Sequence, residues 1–219
     1  MWPEYNRHGD VVSRYWERPH AERPDFQFVL CDDEERVLAQ GHSLPVSWDG
    51  TIDGLPDGVD GAIVGGFDDD GADTLCAMAI EIAPARQGSG LSRVMVEAMA
   101  GIARQHGFEA PIAPVRPSCK ERYPLIPIER YATWRRDDRL PFDPWMRVHE
   151  RLGGEILKPE PRSLRITGTV SEWETWTRLA FPESGEYVFP HGLATVAIDH
   201  EHDVGRYWEP NVWMCHRGG

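Results

Sequence analysis

The sequence has 219 residues, 41% hydrophobic and 27% charged, the balance of a globular chain rather than a disordered one. Its 36 acidic side chains outnumber 23 basic ones, and the formal net charge of -13 repels DNA, RNA and anionic membranes while favouring a cationic or amine-bearing partner. No apolar run approaches the roughly 18 residues of a membrane span, and the opening Met1-Trp2-Pro3-Glu4-Tyr5 lacks the basic and apolar regions of a signal peptide. A cytoplasmic protein with no nucleic-acid or membrane partner is expected, with a homodimer left open.

Residues 1–24 mix aromatic and charged side chains, and a short helix is expected within Asp10 to Trp16. Phe26-Gln27-Phe28-Val29-Leu30 reads as a strand, and the acidic turn Asp32-Asp33-Glu34-Glu35 leads to a second over Arg36 to Leu44, together an antiparallel hairpin. The Gly- and Asp-rich stretch 49–73 predicts a long surface excursion with one helical turn near Val59 to Val64. Thr74 to Ile82 is almost continuously apolar, as in a buried central strand. A glycine-containing loop then enters the strongest helix, Leu91 to Gln105, in which Leu91, Val94, Met95, Ala98, Met99 and Ile102 form one apolar stripe. Ile112 to Pro117 is a short strand whose two prolines leave it unpaired along part of one edge. Asp143 caps a helix running from Pro144 to about Leu152, and Gly153-Gly154 stops it. Strands follow at Ser163 to Val170 and Leu193 to Ile198, with a helix over Ser171 to Thr177 between them, where Ser171-Glu172-Trp173-Glu174 reads as a capping box. Cys31, Cys76, Cys119 and Cys215 are too scattered for a metal knuckle or redox pair and read as small core residues.

The functional signal lies in the strand–loop–helix passage around Gln87-Gly88-Ser89-Gly90-Leu91-Ser92. The first amides of a helix have no intrahelical acceptor, and the aligned peptide dipoles place positive charge there, so such a turn binds anions. Gly88 and Gly90 let backbone approach phosphate without a Cβ between. A P-loop needs Lys-Ser/Thr after its last glycine, where Leu91-Ser92 stands. The dinucleotide fingerprint needs a third glycine where Arg93 stands. A phosphate cradle of another kind and a plain structural turn remain.

The run Ile82-Ala83-Pro84-Ala85-Arg86-Gln87-Gly88-Ser89-Gly90-Leu91-Ser92, followed by the helix, resembles the acyl-CoA motif of the GNAT N-acyltransferase superfamily, Gln/Arg-x-x-Gly-x-Gly/Ala. Gln87 and Gly90 match, and Ser92 stands where Gly or Ala is usual. The resemblance covers about residues 25–155. It implies an α/β (α+β) fold with a mixed, mostly antiparallel sheet flanked by helices. It also implies acetyl-CoA or another acyl-CoA as cosubstrate, with its pyrophosphate on the amides of Gly88, Ser89, Gly90, Leu91 and Ser92, beside Gln87. The strand edge at Ile80 and Ile82 would pair with the pantetheine amides. Downstream, His149-Glu150-Arg151-Leu152-Gly153-Gly154 is similar to the segment whose tyrosine protonates the leaving thiolate in the family. His149 takes that tyrosine's place, with an imidazolium as the acid or, in the alternative, a structural role.

Glu81 on the central strand is a candidate base for the attacking ammonium, directly or through water, with Asp73 as a second; alternation equally allows Glu81 a structural partner. His200-Glu201-His202-Asp203 holds ligand-type residues but reads as a polar turn, so no metal is expected. The basic, aromatic segment from Lys120 to Arg139 would suit the CoA 3′-phosphate or a solvated face. The expected organisation is an N-terminal helical segment (1–24), an acyl-CoA-binding core (25–155), and C-terminal strands (156–219) completing the sheet and the acceptor site. The resulting reading is an N-acyltransferase acting on a small-molecule amine by direct attack; the rival is a non-catalytic module that binds acyl-CoA as sensor or scaffold.

Overall fold

The computed structural model describes residues 2–68 and 71–217, so residues 69 and 70 of the expected excursion lie outside the described residues. Two short helices, α1 (Val12–Tyr15) and α2 (Arg18–Glu22), precede the hairpin of β1 (Gln27–Cys31) and β2 (Val37–Val46). Helix α3 (Gly58–Asp68), β3 (Thr74–Ile82), α4 (Leu91–Gln105) and β4 (Ile112–Val115) follow. Next come α5 (Ile128–Tyr131), α6 (Pro144–Arg151), β5 (Gly154–Gly168) and α7 (Val170–Thr177). The chain closes with β6 (Gly185–Tyr187), β7 (Val196–Asp199) and β8 (Val204–His216).

Among the described residues one mixed sheet runs β1-β2-β3-β4-β8-β7-β6, with β5 also paired to β8. Every pairing is antiparallel except β3 with β4. Strand β8 is the hub. It pairs with β4 through Ile112↔Cys215 to Val115↔Val212, with β5 along most of its length, and with β7 near its start. Because β4 lies between β3 and β8, the C-terminal strand stands two places from the central strand in the sheet. No helix of the described residues is long and apolar enough to cross a membrane.

The sheet buries both faces. Helix α4 lays Met99 and Ala103 on Leu75, with Ala77 and Ile80 packed alongside. On that same face α5 and α6 bring Ile128, Tyr131 and Met146 onto Ala113, Val115, Val212 and Met214. The opposite face packs Ala62 of α3 with Trp48, Cys76, Trp213 and Cys215. A further cluster around Tyr5, Trp173, Phe189 and Tyr207 joins the N-terminal segment to the last strands.

Three local expectations change. The stretch 49–73 holds an eleven-residue helix rather than a single turn. Two of its glycines are there for close approach: a Cβ at Gly58 would stand 2.3 Å from Ser163 Cα, and one at Gly66 would stand 2.9 Å from Leu44 Cβ. The capping box of α7 is built two residues earlier, by Thr169 and Glu172, instead of from Ser171. The aromatic residues of the basic segment are core: Tyr131 is 1% exposed, and Tyr123, Trp134 and Phe142 pack on it. Lys120 is buried too, donating to the carbonyls of Tyr123 and Leu193, and burial pulls its ammonium down to about 8. That lysine is committed to the fold and is not offered to a phosphate.

Candidate active site

Strands β3 and β4 share a single register pair, Cys76↔Ile112, and then part. Two parallel strands that separate leave a wedge in the sheet, and backbone groups on its β3 side have no ladder partner there. The ladder with β2 shows which groups these are. Ala83 donates to the Leu38 carbonyl at 2.9 Å, and Glu81 and Ala79 follow it in alternation across from Gln40 and His42. The N–H and C=O of Ile80 and Ile82 therefore point to the edge away from β2, into the wedge.

A register shift between His42 and Ser43 leaves Met78 as an extra residue in β3. Such a bulge moves every later side chain to the other face. Ile80 consequently joins Leu75 and Ala77 over α4. Glu81 goes to the opposite face, where Gln40 Nε2 donates to its Oε2 at 2.8 Å. The same face carries His42, which lines a small pocket with Trp16, Pro19, Gln27 and Met78. Asp73, the second candidate base, accepts the Trp48 amide at 2.9 Å.

The loop leading to α4 has the form of an anion cradle. Gly88 has φ +75 and Gly90 φ +85, conformations L side chains rarely adopt, and nothing lies within 4 Å of a Cβ placed at either. Gly90 caps α4 without any side-chain hydrogen bond to the helix start. Among the described residues, the amides of Gly88, Gly90, Leu91 and Ser92 have no acceptor. The Ser89 amide differs from the expected set, because it turns back to the Arg86 carbonyl at 3.4 Å. Gln87 sends its side-chain amide towards the Ile82 carbonyl at 3.5 Å. Free donors, open space and the N-terminal end of a fifteen-residue helix suit a pyrophosphate.

On the α4 face the wedge opens as a narrow cleft lined by Ala77, Ile80, Val96, Met99, Ala113, His149 and His216. His149 is 4% exposed and packs its ring edge-to-face on Trp145. Its Nδ1 lies 2.8 Å from His216 Nε2, while its own Nε2 is buried without a partner. Burial, and secondarily the neighbouring His216, hold the His149 imidazolium down to about 3. The cationic acid expected at sulfur is therefore not the form present near neutral pH, for a desolvated ring sheds its charge. Glu81 and His149 sit on opposite faces of β3.

The pH consequence has a definite sign. An unfolded histidine titrates near 6.5 and the folded His149 near 3, so the stability this ring contributes is present above 6.5 and lost as pH falls towards 3. Across that window the folding constant drops by up to about tenfold per pH unit. Urea melts of His149→Gln between pH 6 and pH 4 are expected to show a shallower acid limb than the native chain; equal slopes would remove His149 as the cause.

His200 and His202 point elsewhere, His200 to the Phe181 carbonyl and His202 to Asp199. Among the described residues no group of three or more His, Cys, Asp or Glu side chains is placed to hold a metal ion. Sequence reasoning missed His216, which reaches His149 only through the pairing of Gly154 with His216 at the end of the sheet.

No protein-family model matches the chain. The chain is 31% identical to Arginine N-acetyltransferase avaD from Aspergillus versicolor, over 99% of its own length and 85% of that protein's. Two solved structures share its fold. One is the loading GNATL domain of CurA from Lyngbya majuscula, at TM-score 0.58 and 18% identity, over 89% of this chain and 77% of that one. The other is the GphF GNAT-like decarboxylase in complex with isobutyryl-CoA, at TM-score 0.57 and 15% identity, over 91% of this chain and 82% of that one.

Proposed function

The chain belongs to the GNAT superfamily of acyl-CoA-dependent N-acyltransferases, and we propose that it moves an acetyl group from acetyl-CoA to an amine of a small cationic acceptor, with arginine the first to test. The observation that carries this reading is the row of free amides at Gly88, Gly90, Leu91 and Ser92, placed where β3 leaves the wedge. Arginine is what the relative's name gives as its acceptor, and a chain of net charge -13 attracts such a cation. Residues 25–155 supply the donor half of the site, and the strands after 156 close it through β8. A cytoplasmic enzyme with no nucleic-acid partner fits the same charge.

The division of labour follows the two faces of β3. On one, the amides of the loop hold the pyrophosphate, and the open edge at Ile80 and Ile82 holds the pantetheine arm by strand-like hydrogen bonds. An N–H on that edge is placed to donate to the thioester oxygen as negative charge grows there. On the other face, Glu81 accepts a proton from the acceptor ammonium, directly or through one water. The freed amine forms the C–N bond, the C–S bond breaks, nitrogen releases its second proton to solvent, and the departing thiolate takes up one from solvent. Nothing on the chain becomes covalently modified, in keeping with the absence of a Gly-x-Ser-x-Gly elbow from the sequence.

Thiol release from acetyl-CoA, followed across a panel of amines led by arginine, tests the reading. Glu81→Gln keeps a partner for Gln40 and should cut kcat by about a hundredfold or more while CoA affinity stays put. Binding of CoA with no release for any amine would favour the sensor or scaffold instead.

A further inference from the structure

His42 stands diagonally across the β2–β3 ladder from Glu81. Gln40 opposes Glu81 and His42 opposes Ala79, two residues along on the same face. Diagonal neighbours lie about 7–8 Å apart, within reach of long and aromatic side chains. On its other side His42 opposes Gln27 of β1, and that pair fixes its tautomer. Gln27 Nε2 donates to the carbonyls of Arg23 at 3.1 Å and Ser43 at 2.9 Å. Carbonyls only accept, so the nitrogen of this amide faces them and its oxygen is what meets His42 Nδ1 at 3.1 Å. The proton of the neutral ring therefore sits on Nδ1, and Nε2 carries a lone pair. Nε2 has no hydrogen-bond partner among the described residues and, unlike Nε2 of His149, is not wholly enclosed.

Resting on the acyltransfer reading with Glu81 as the first base, we propose that His42 is a second catalytic base, whose Nε2 takes up, directly or through one water, the proton that nitrogen sheds once the C–N bond has formed. The acceptor ammonium gives its first proton to Glu81. A carboxyl that has just been protonated has no ready place for another, and Gln40 is already a donor to it. As the C–S bond breaks, the second proton passes to His42, and the thiolate takes one from solvent. Glu81 and His42 then return theirs to solvent, so one proton is released per turnover. Burial, and next the ring of His20, hold the His42 imidazolium below the usual histidine range, with Glu81 opposing them, so the free base is the form present near neutral pH. His20 of α2 and Glu81 of β3 are the titratable groups that face this ring; α1, β1 and α3 bring Trp16, Gln27 and Ile63.

Long-range ¹⁵N–¹H correlation spectra of the full chain, joined to the pH profile of kcat/KM for the amine, test this role. The neutral His42 ring should be protonated at Nδ1 alone. The rate should fall on the acid side with the same midpoint at which the His42 signals titrate. His42→Gln should lose that acid limb and lower kcat at least about tenfold, with CoA affinity within about twofold of native. Gln27→Leu removes the acceptor for Nδ1–H, so the proton should move to Nε2 and kcat should fall as in His42→Gln. A native proton on Nε2, an acid limb that does not follow His42, or a folded His42→Gln of native kcat would each overturn the proposal. Should the variants fail to fold, the native spectra and pH profile decide alone. A native chain that releases no thiol with any amine would instead sink the acyltransfer reading, whatever the His42 spectra show.

Discussion

Gly90→Val is expected to raise the dissociation constant for CoA at least about a hundredfold, since two charge-assisted hydrogen bonds are each worth about 1.5–3 kcal/mol. Gly90 sits at φ +85 and ψ -1 as the residue that opens α4. A β-branched side chain is an outlier in that region, and forcing it there costs roughly 1–3 kcal/mol. Nothing lies within 4 Å of the new Cβ, so the fold has room for it; the branched side chain instead enters the space that phosphate would occupy. Gly107→Ala is the matched control, because Gly107 has φ +77 and also faces open space, at the other end of the same helix. It should show backbone strain in its Tm and native CoA binding. Calorimetry and thermal melts on both variants separate the two effects. Should Gly90→Val bind CoA within about threefold of the native chain, the loop would not be the phosphate site.

Glu209→Ala should destabilise the fold by about 3–5 kcal/mol, because it strands a partner's charge in a buried site. Glu209 is 2% exposed on β8. Its carboxylate takes Arg116 Nε at 2.9 Å, Asn6 Nδ2 at 3.1 Å, and the hydroxyls of Tyr5 and Tyr207. Arg116 also donates to the His191 carbonyl, so the network ties the N-terminal segment, the end of β4 and the last strands together. For a chain of this size the loss corresponds to a Tm lower by about 6–20 °C. Replacing Arg116 by Met in the same molecule removes the stranded charge and should restore part of that Tm, a comparison in the form of a double-mutant cycle. An unchanged Tm for Glu209→Ala would show the network to be dispensable.

Much of the strand–turn–helix passage was legible in the order of residues. Periodicity located α4 from Leu91 to Gln105, and an unbroken apolar run located β3. The two glycines between them marked a turn with outward-facing amides, and the Asp143 cap with Pro144 marked α6, where the Asp143 carboxylate accepts the amides of Trp145 and Met146. These features depend on neighbours within a few residues, which is the range over which φ/ψ preference, capping and hydrophobic spacing act. Helix α3 was read only as a single turn near Val59 to Val64 because its glycines argue against a longer helix locally, and they are there to let Ser163 and Leu44 come close. Strand β8 escaped because Arg206, Glu209 and Asn211 interrupt any apolar alternation, and the side chains that pair with Glu209 lie far away in sequence.

By itself, then, the sequence determined the glycine turn, the central strand with its helix, and the family they belong to. Only the tertiary structure decided which atoms face it. One unpaired residue, Met78, reverses the faces of β3, sending Ile80 into the cleft and Glu81 to the opposite side. The separation of β3 from β4 after one register pair opens the edge at Ile80 and Ile82. The meeting of His149 with His216, 67 residues away, places two imidazole rings within 2.8 Å of each other beside the cleft. Each of these rests on strand register across distant segments, and register is fixed by which partner edges find each other as the core closes, not by the preferences of any short stretch of chain.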